Sequence, residues 1–147
     1  MSRWVVAALV LGVLGLAVWV VAGRNTGAAA LPEVPAGGYA EITVGTLGKL
    51  LETPEEERGF VLLNVHVPYA GEIPGTDLVL PYNRLPEFAD RLPQDKATPI
   101  VLYCRSGAMS RMAARTLVEM GYTRVYDVPG GMNAWRASGG ALVFVKR

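Results

Sequence analysis

The stretch VLYCRSGAMSR, residues 101–111, decides the fold because it contains a complete passage from a strand to a helix. Four largely apolar residues, 101–104, lead into the polar turn RSGA, residues 105–108, and a segment with the helical spacing of apolar residues follows. Cys104, the only cysteine of the 147 residues, lies at the junction. Gly107 gives the turn the backbone freedom that a tight reversal needs. The stretch therefore predicts a buried strand with a single thiol at its carboxyl end.

Short apolar runs alternate with amphipathic segments along the rest of the chain. The runs at 60–65 and 100–104 are almost continuously apolar, which is typical of parallel strands that are covered on both faces. The predicted strands cover residues 60–65, 77–80, 100–104 and 124–128, and the predicted helices follow Thr43 and cover residues 85–92, 109–120 and 132–138. This alternation predicts an α/β domain with a mainly parallel sheet. In such sheets ligands bind at the carboxyl ends of the strands, where Cys104 lies.

Two of the predicted helices have a defined apolar face. In the segment 85–92, which has a proline in its first turn, that face comprises Leu85, Phe88, Ala89 and Leu92. In the segment 109–120 it comprises Met109, Met112, Ala113, Leu117 and Met120. Gly121 is the expected glycine just after the end of the second helix.

Residues 1–24 differ in composition from the rest of the chain. The run WVVAALVLGVLGLAVWVVAG, residues 4–23, carries no charge and is long enough to span a bilayer, which takes about 20 apolar residues. Tryptophans lie near both ends of the run and an arginine flanks each side, as interfacial anchors do. We therefore predict a transmembrane anchor over residues 1–24, in contact with the lipid bilayer through residues 4–23.

Arg3 and the α-amino group favour a cytoplasmic N-terminus, since positive charge is retained on that side. The protein is then a single-pass protein of the cell membrane with its domain outside the cytoplasm. A cleaved signal peptide is the alternative, because the small residues at 28–30 resemble a cleavage site, and the protein would then be secreted or periplasmic. The uncharged run exceeds the usual signal-peptide core of about 7–15 residues, which favours the anchor.

Residues 25–39 are rich in Ala, Gly and Pro and predict a linker, which leaves residues 40–147 for one domain. Of the 14 Lys and Arg residues two precede residue 25, so residues 25–147 hold 12 against 13 Asp and Glu, a net charge of −1. No basic stripe is present, which excludes nucleic acid as a partner. One Cys and one His do not make a zinc site of the usual composition, and we expect neither a metal nor a cofactor.

The polar turn after Cys104 favours a nucleophile at this position. Successive N–H groups of a tight turn converge, and the following helix adds its positive end, which together make a site for an anion and stabilise a thiolate. Arg105 adds a guanidinium for an oxyanion at the mouth of the site, whereas Arg111 is expected on the helix surface. The predicted site comprises catalytic Cys104 and the substrate-binding residues Arg105, Ser106, Gly107, Ala108, Met109 and Ser110. The alternative for Cys104 is a small buried core residue.

The segment CRSGAMSRMAA, between a strand and a helix, resembles the active-site loop of the rhodanese (thiosulfate sulfurtransferase) family. The segments FVLLNVHVP (60–68), EIPGTDLVLP (72–81) and VYDVPGGMNAWRASG (125–139) resemble further parts of that family in the same order. The resemblance implies a five-stranded parallel sheet flanked by helices. It also implies a cysteine that accepts sulfane sulfur as a persulfide and passes it to a thiol or another thiophilic acceptor. A small anionic sulfur donor or a persulfidated protein is the implied partner.

Four positions depart from the family pattern. Asn64 and His66 stand where the family often has Asp and Arg, and Glu72 replaces the usual His before Ile-Pro-Gly. Met109 stands where Arg, Lys or Thr is frequent. The loss of a cation at Met109 weakens the expectation for thiosulfate and favours a less polar donor or a protein persulfide.

Three other functions remain as alternatives. A catalytically weak rhodanese-like module that binds a partner at the membrane is consistent with the four departures. A phosphatase or arsenate reductase has a Cys-x5-Arg loop, but here Ser110 stands at the sixth position after Cys104 and the arginine follows only at Arg111. Thiol–disulfide exchange lacks a resolving cysteine in this chain.

Overall fold

The alternating segments form a five-stranded sheet with helices on both faces, in a computed structural model that describes residues 30–146. The strands are β1 (Ala40–Glu41), β2 (Val61–Asn64), β3 (Leu78–Val79), β4 (Ile100–Tyr103) and β5 (Val125–Asp127). The helices are α1 (Val44–Leu51), α2 (Ala108–Glu119) and α3 (Gly131–Ala137), with short 3₁₀ helices at Glu55–Glu57 and Leu85–Phe88. The strand order is β1-β5-β4-β2-β3 and every neighbouring pair is parallel, which confirms the predicted sheet.

The sheet separates two apolar cores. Leu63 and Leu102 point into the first core, beneath α2, whereas Leu62 and Val101 point into the second core, beneath α1 and α3. All four side chains are fully buried, because β2 and β4 lie in the middle of the sheet and are covered on both faces. This confirms the interpretation of the continuous apolar runs as covered parallel strands.

The ends of α1 and α2 follow from local sequence. Thr43 caps α1, since its hydroxyl oxygen accepts the N–H of Thr46 at 3.1 Å. Helix α2 begins at Ala108, one residue earlier than predicted, and Gly121 follows it with a φ of +95°, as expected of a glycine after a helix end.

Two predicted details are wrong. In the segment 85–92 only Leu85–Phe88 is helical, and it is a 3₁₀ helix, because only Leu85 and Leu92 of the predicted face are buried and so short a segment gains little from packing. Met112 of α2 is 56% exposed. The buried face of this helix is rotated away from it and comprises Ser110, Ala113, Ala114 and Leu117. The small side chains of Ser110, Ala113 and Ala114 let the helix lie close to the sheet.

The described part of the predicted linker contacts the domain. Leu31 and Val34 pack against the second core, and the Tyr126 hydroxyl donates to the Pro32 carbonyl at 3.0 Å. The predicted membrane span at 4–23 lies outside the described residues. Across residues 30–146 no helix has the length and apolar character needed to cross a bilayer.

The Tyr103 hydroxyl ties the segment before β3 to the end of β4. It accepts the N–H of Ile73 at 2.9 Å and shares a hydrogen bond of 2.7 Å with the Thr76 hydroxyl. Burial raises the pKa of Tyr103 to about 12, so that the phenol stays neutral. One buried side chain thus fixes the loop that leads into β3.

Replacement of Tyr103 tests this contact. Tyr103→Phe leaves the buried Ile73 N–H without its acceptor, which we expect to lower the free energy of unfolding by about 1–3 kcal/mol. Tyr126→Phe is the matched control. It removes the hydroxyl that donates to the Pro32 carbonyl, but Pro32 is exposed, so water can replace the lost donor. Chemical denaturation of both variants measures the difference, and an equal loss would contradict the assigned role of Tyr103.

Candidate active site

Cys104 follows β4 directly, so that the sheet delivers its thiol to the carboxyl edge. The side chain is only 1% exposed, and the Gly107 N–H donates to Cys104 Sγ at 3.0 Å. Gly107 adopts a φ of +114° immediately before α2, a backbone conformation that favours glycine. The loop therefore closes over the sulfur, as the sequence predicted, and directs an N–H dipole at it.

The other loop residues form the rim of the site. Arg105, Ser106 and Ala108 are exposed, and Met109 is half-buried and packs against the first core. Within residues 30–146 the backbone N–H groups of these four residues donate to no acceptor. The rim therefore offers four free amide donors beside the one that already contacts the sulfur, an arrangement that suits an anion.

Ser110 has a different place from the one predicted for a substrate-binding residue. Its side chain is fully buried, and its hydroxyl donates to the Gly107 carbonyl at 3.2 Å. Gly107 is thus held on both sides, through its N–H and through its carbonyl. Arg111, which also donates its N–H to this carbonyl at 3.2 Å, has an exposed side chain, as expected. Ser110 supports the loop from beneath.

The first turn of α3 holds the beginning of the loop, a role that the sequence analysis missed. The N–H groups of Met132 and Asn133 donate to the carbonyls of Cys104 (2.9 Å) and Arg105 (3.0 Å). Gly131 has a φ of +46°, and a side chain there would collide with the Cys104 carbonyl. The pair of glycines in PGG was the only sequence signal for this close approach.

The loop after β2 brings His66 close enough to Arg105 to feel its charge. Asn64 organises it, since its Oδ1 accepts the His66 N–H at 3.0 Å and its Nδ2 donates to the Gly71 carbonyl at 3.1 Å. His66 is 9% exposed, and its Nδ1 is buried without a hydrogen-bond partner in the described part of the chain. Burial and the charge of Arg105 lower the pKa of His66, so the imidazole is neutral at neutral pH. The buried carboxyl of Glu72 accepts the Tyr69 hydroxyl at 3.1 Å.

Asp127 is a second residue that the sequence analysis missed. It is 0% exposed at the end of β5, and neither carboxyl oxygen has a hydrogen-bond partner within residues 30–146. Burial raises the pKa of Asp127, and the nearby Ser110 hydroxyl opposes the rise although it donates to Gly107. The signal in the sequence was an acidic residue among the largely apolar residues 125–128.

The arrangement places one thiol among groups that can bind an anion. Nowhere in residues 30–146 do three or more His, Cys, Asp or Glu residues form a group that could hold a metal ion. Cys104, Arg105 and the amide groups of the loop lie together, and the neutral His66 lies beside Arg105. This set can hold an anion against a nucleophilic sulfur.

Substitution of Gly131 tests how closely the α3 turn supports the loop. Gly131→Ala places a methyl group against the Cys104 carbonyl, and we expect a marked loss of Cys104 reactivity toward iodoacetamide. Gly121→Ala is the control, since it also has a positive φ but open space around it, and should cost only about 1–2 kcal/mol of backbone strain. Equal alkylation rates in the two variants would contradict this role.

Asp127→Asn tests the protonation state of the buried carboxyl. Because burial raises its folded-state pKa above that of the unfolded chain, wild-type stability falls as pH rises from the unfolded value toward the folded one. We therefore expect Asp127→Asn to gain stability relative to wild type between about pH 4 and pH 7. Urea denaturation of wild type and Asp127→Asn at both pH values measures the gain. If the difference in the free energy of unfolding between the two proteins does not change with pH, the pKa of Asp127 is not raised.

Comparison with known proteins agrees with this geometry. Residues 49–138 match the family model described as the rhodanese-like domain. A sulfurtransferase of Allochromatium vinosum is 34% identical over 106 residues, which cover 70% of this chain and 94% of that protein. The thiosulfate sulfurtransferase GlpE of Actinobacillus pleuropneumoniae is 44% identical over 45 residues, which cover 31% of this chain and 42% of that protein.

A solved structure shows the same fold. The rhodanese-like domain of an Anabaena protein superposes with a TM-score of 0.61 at 25% identity, and the match covers 71% of this chain and 79% of that one. That domain is named for the same family as the model that matches residues 49–138 of this chain. The matched segment contains the whole loop from Cys104 to Ser110. The parallel sheet, the loop at the end of β4 and these matches lead to one conclusion: the chain belongs to the rhodanese-like domain family.

Proposed function

We propose that the protein is a sulfurtransferase that moves sulfane sulfur through a persulfide on Cys104 to a thiol or another thiophilic acceptor. The observation that carries the proposal is the Gly107 N–H at 3.0 Å from Cys104 Sγ, in a loop with four further free amide donors. An anionic terminal sulfur on Cys104 would meet these donors. The relatives named as sulfurtransferases support the same activity.

The transfer consists of two displacements at sulfur. The Cys104 thiolate attacks the sulfane sulfur of the donor, the donor's S–S bond breaks, and the remainder leaves with the bonding electrons. Cys104 then carries a persulfide, Cys–S–S⁻. An acceptor thiolate attacks the outer sulfur, a new S–S bond forms, and Cys104 leaves as the thiolate. Electrons balance within each exchange, and no external oxidant is needed.

The rim of the loop indicates the charge of the donor. Arg105 is the only cationic side chain among residues 104–110, and it is exposed. Met109 adds no charge, and the pKa of His66 is lowered by burial and by Arg105. A persulfide with one negative charge therefore suits the site better than thiosulfate with two.

We also propose that residues 4–23 anchor the protein in the cell membrane, with the domain outside the cytoplasm. The chain enters β1 at the amino edge of the parallel sheet, whereas Cys104 lies at the carboxyl edge. A tethered domain would thus present its site away from the anchor, toward donors and acceptors in water. A mature N-terminus near residue 31 in a protein free of membranes would contradict the anchor and favour a secreted or periplasmic form.

One observation favours a second function. Cys104 is only 1% exposed, so a donor reaches the sulfur only when the loop opens. A rhodanese-like module that binds a partner and transfers no sulfur would leave the thiol in this closed form. The two functions differ in whether Cys104 gains sulfur.

Mass spectrometry of the full-length protein tests the proposal. Incubation with a low-molecular-weight persulfide should add one sulfur atom to Cys104, and cyanide should remove it. Cys104→Ser is the control and should gain none. Thiosulfate should load Cys104 more slowly, and Arg105→Ala should raise KM more than it lowers kcat, because its charge recruits the donor. If no donor loads the wild-type protein, the binding module becomes the better account.

A further inference from the structure

The chain around Cys104 and along α2 is rich in cations and free of acids. Residues 96–118 contain no Asp or Glu, and their cationic residues are Lys96, Arg105, Arg111 and Arg115. The three arginines have exposed side chains, and within residues 30–146 none of them forms an ion pair. Positive charge is thus concentrated here, although 14 Lys and Arg nearly balance 13 Asp and Glu over the whole chain.

Arg111 and Arg115 lie one helical turn apart on the side of α2 that faces away from the sheet. Their spacing of four residues places them on one side of the helix, opposite to the buried residues Ser110, Ala113, Ala114 and Leu117. At a rise of about 1.5 Å per residue, Arg115 lies about 10 Å along the helix axis from Ala108, where the loop ends. Arg105 lies on the rim of the loop. These three arginines form the α2 cationic face, which begins at the Cys104 site.

Apolar side chains lie among these cations. Met112 is 56% exposed, and Met109 at the rim is half-buried. Farther along α2, a recess of about 280 Å³ separates the helix from residues 37–39 and is lined by Tyr39 and Val118 together with Arg115. Exposed methionines adapt to the shape of a partner. A small inorganic anion leaves such apolar surface uncovered, whereas a polypeptide packed against α2 buries it.

Two acidic residues flank the α2 cationic face. Glu119 lies in the last turn of α2, and Glu41 lies on β1, where its charge acts on Asp127 as the charge of Arg111 does. In the part of the chain that the structure describes, neither forms an ion pair with an arginine of the face. The guanidinium groups of the face are therefore available to carboxylates of another molecule.

We propose that the α2 cationic face docks an acidic protein that brings a persulfide to Cys104. The inference rests on the proposed sulfur transfer and names the class of its donor. The Cys104 thiolate attacks the outer sulfur of the partner's persulfide, the S–S bond of the partner breaks, and the partner's cysteine leaves as a thiolate.

The size of an interface explains why the whole face takes part. A specific protein–protein interface buries about 800 Å² on each partner, which corresponds to a disc of about 16 Å radius. A protein that presents a sulfur atom at Cys104 therefore also covers Arg111 and Arg115. Carboxylates of that protein pair with the planar guanidinium groups through two N–H groups each, and their charge raises the rate of encounter.

Persulfidated peptides test the proposal on the full-length protein in a non-ionic detergent. Two probes have equal length and one persulfidated cysteine, which glutamates flank in the first and lysines in the second. We expect kcat/KM for sulfur loading of Cys104 to be about tenfold higher for the acidic peptide at low ionic strength. The ratio should fall as salt is added, because salt screens exposed charges.

Neutralisation of the α2 cationic face should remove most of this preference. We expect Arg111→Gln/Arg115→Gln to lower the ratio of acidic to basic peptide by about fivefold, since two exposed charge pairs are lost. The ratio cancels any change in the intrinsic reactivity of Cys104, because both peptides meet the same thiol.

Arg124→Gln/Arg136→Gln is the matched control. It also removes two exposed arginines, of which Arg124 precedes β5 at the amino edge of the sheet and Arg136 lies on α3, on the other face of the sheet. The change in net charge is the same, so the ratio should stay within about twofold of the wild-type value.

Four results would overturn the inference. Three are equal kcat/KM values for the two peptides in the wild-type protein, an unchanged ratio in the α2 double variant, and an equal loss in the control variant. The fourth is competition with the acidic peptide by phosphatidylglycerol micelles that is lost in the α2 double variant, which would assign the face to a lipid surface.

Loading of Cys104 by a low-molecular-weight persulfide tests the sulfur transfer separately, because such a donor need not contact α2. If no donor loads Cys104, the transfer fails, and the docking face is tested by binding alone. Fluorescence anisotropy with peptides that carry serine in place of cysteine should then show the same preference for the acidic peptide, lost in the α2 double variant and kept in the control.

Discussion

The site depends on a reversal of the chain within four residues of the end of β4, because only this lets the Gly107 N–H donate to Cys104 Sγ. A φ of +114° at Gly107 makes the reversal possible, and it also directs the first turn of α2 at the sulfur. The first turn of α3 fixes the start of the loop through the Cys104 carbonyl, and Ser110 fixes its end. One loop is therefore held by the end of β4, by α2 and by the glycine-containing first turn of α3.

The fold could be predicted from the sequence because its signals are local. Two middle strands covered on both faces need continuous apolar runs, and 60–65 and 100–104 are such runs. The position of the thiol at the carboxyl edge follows from the strand–turn–helix order alone. The contact between the Gly107 N–H and the sulfur could be predicted as well, since a tight turn after a strand leaves its amide groups pointing inward.

The remaining details depend on contacts between segments that lie far apart in the chain. Met112 has the spacing of a buried residue, but the small side chains Ala113 and Ala114 let α2 approach the sheet with a different face. Asp127 looked like an ordinary member of a short strand, and only the packing of the folded domain shows that its carboxyl is buried without a hydrogen-bond partner within residues 30–146. The close approach of Gly131 to the Cys104 carbonyl likewise joins two loops that no local pattern connects.

Three of the four departures from the family pattern act together on the charge of the site. Asn64 uses both ends of its amide to hold the loop after β2, a task that requires a donor and an acceptor but no charge. His66 adds no second cation at neutral pH, since burial and Arg105 lower its pKa. Met109 packs on the first core instead of offering a cation. One exposed guanidinium and a set of backbone amide groups then remain for the substrate. Amide groups follow the shape of an anion more than its charge, which supports the singly charged terminal sulfur of the proposed function.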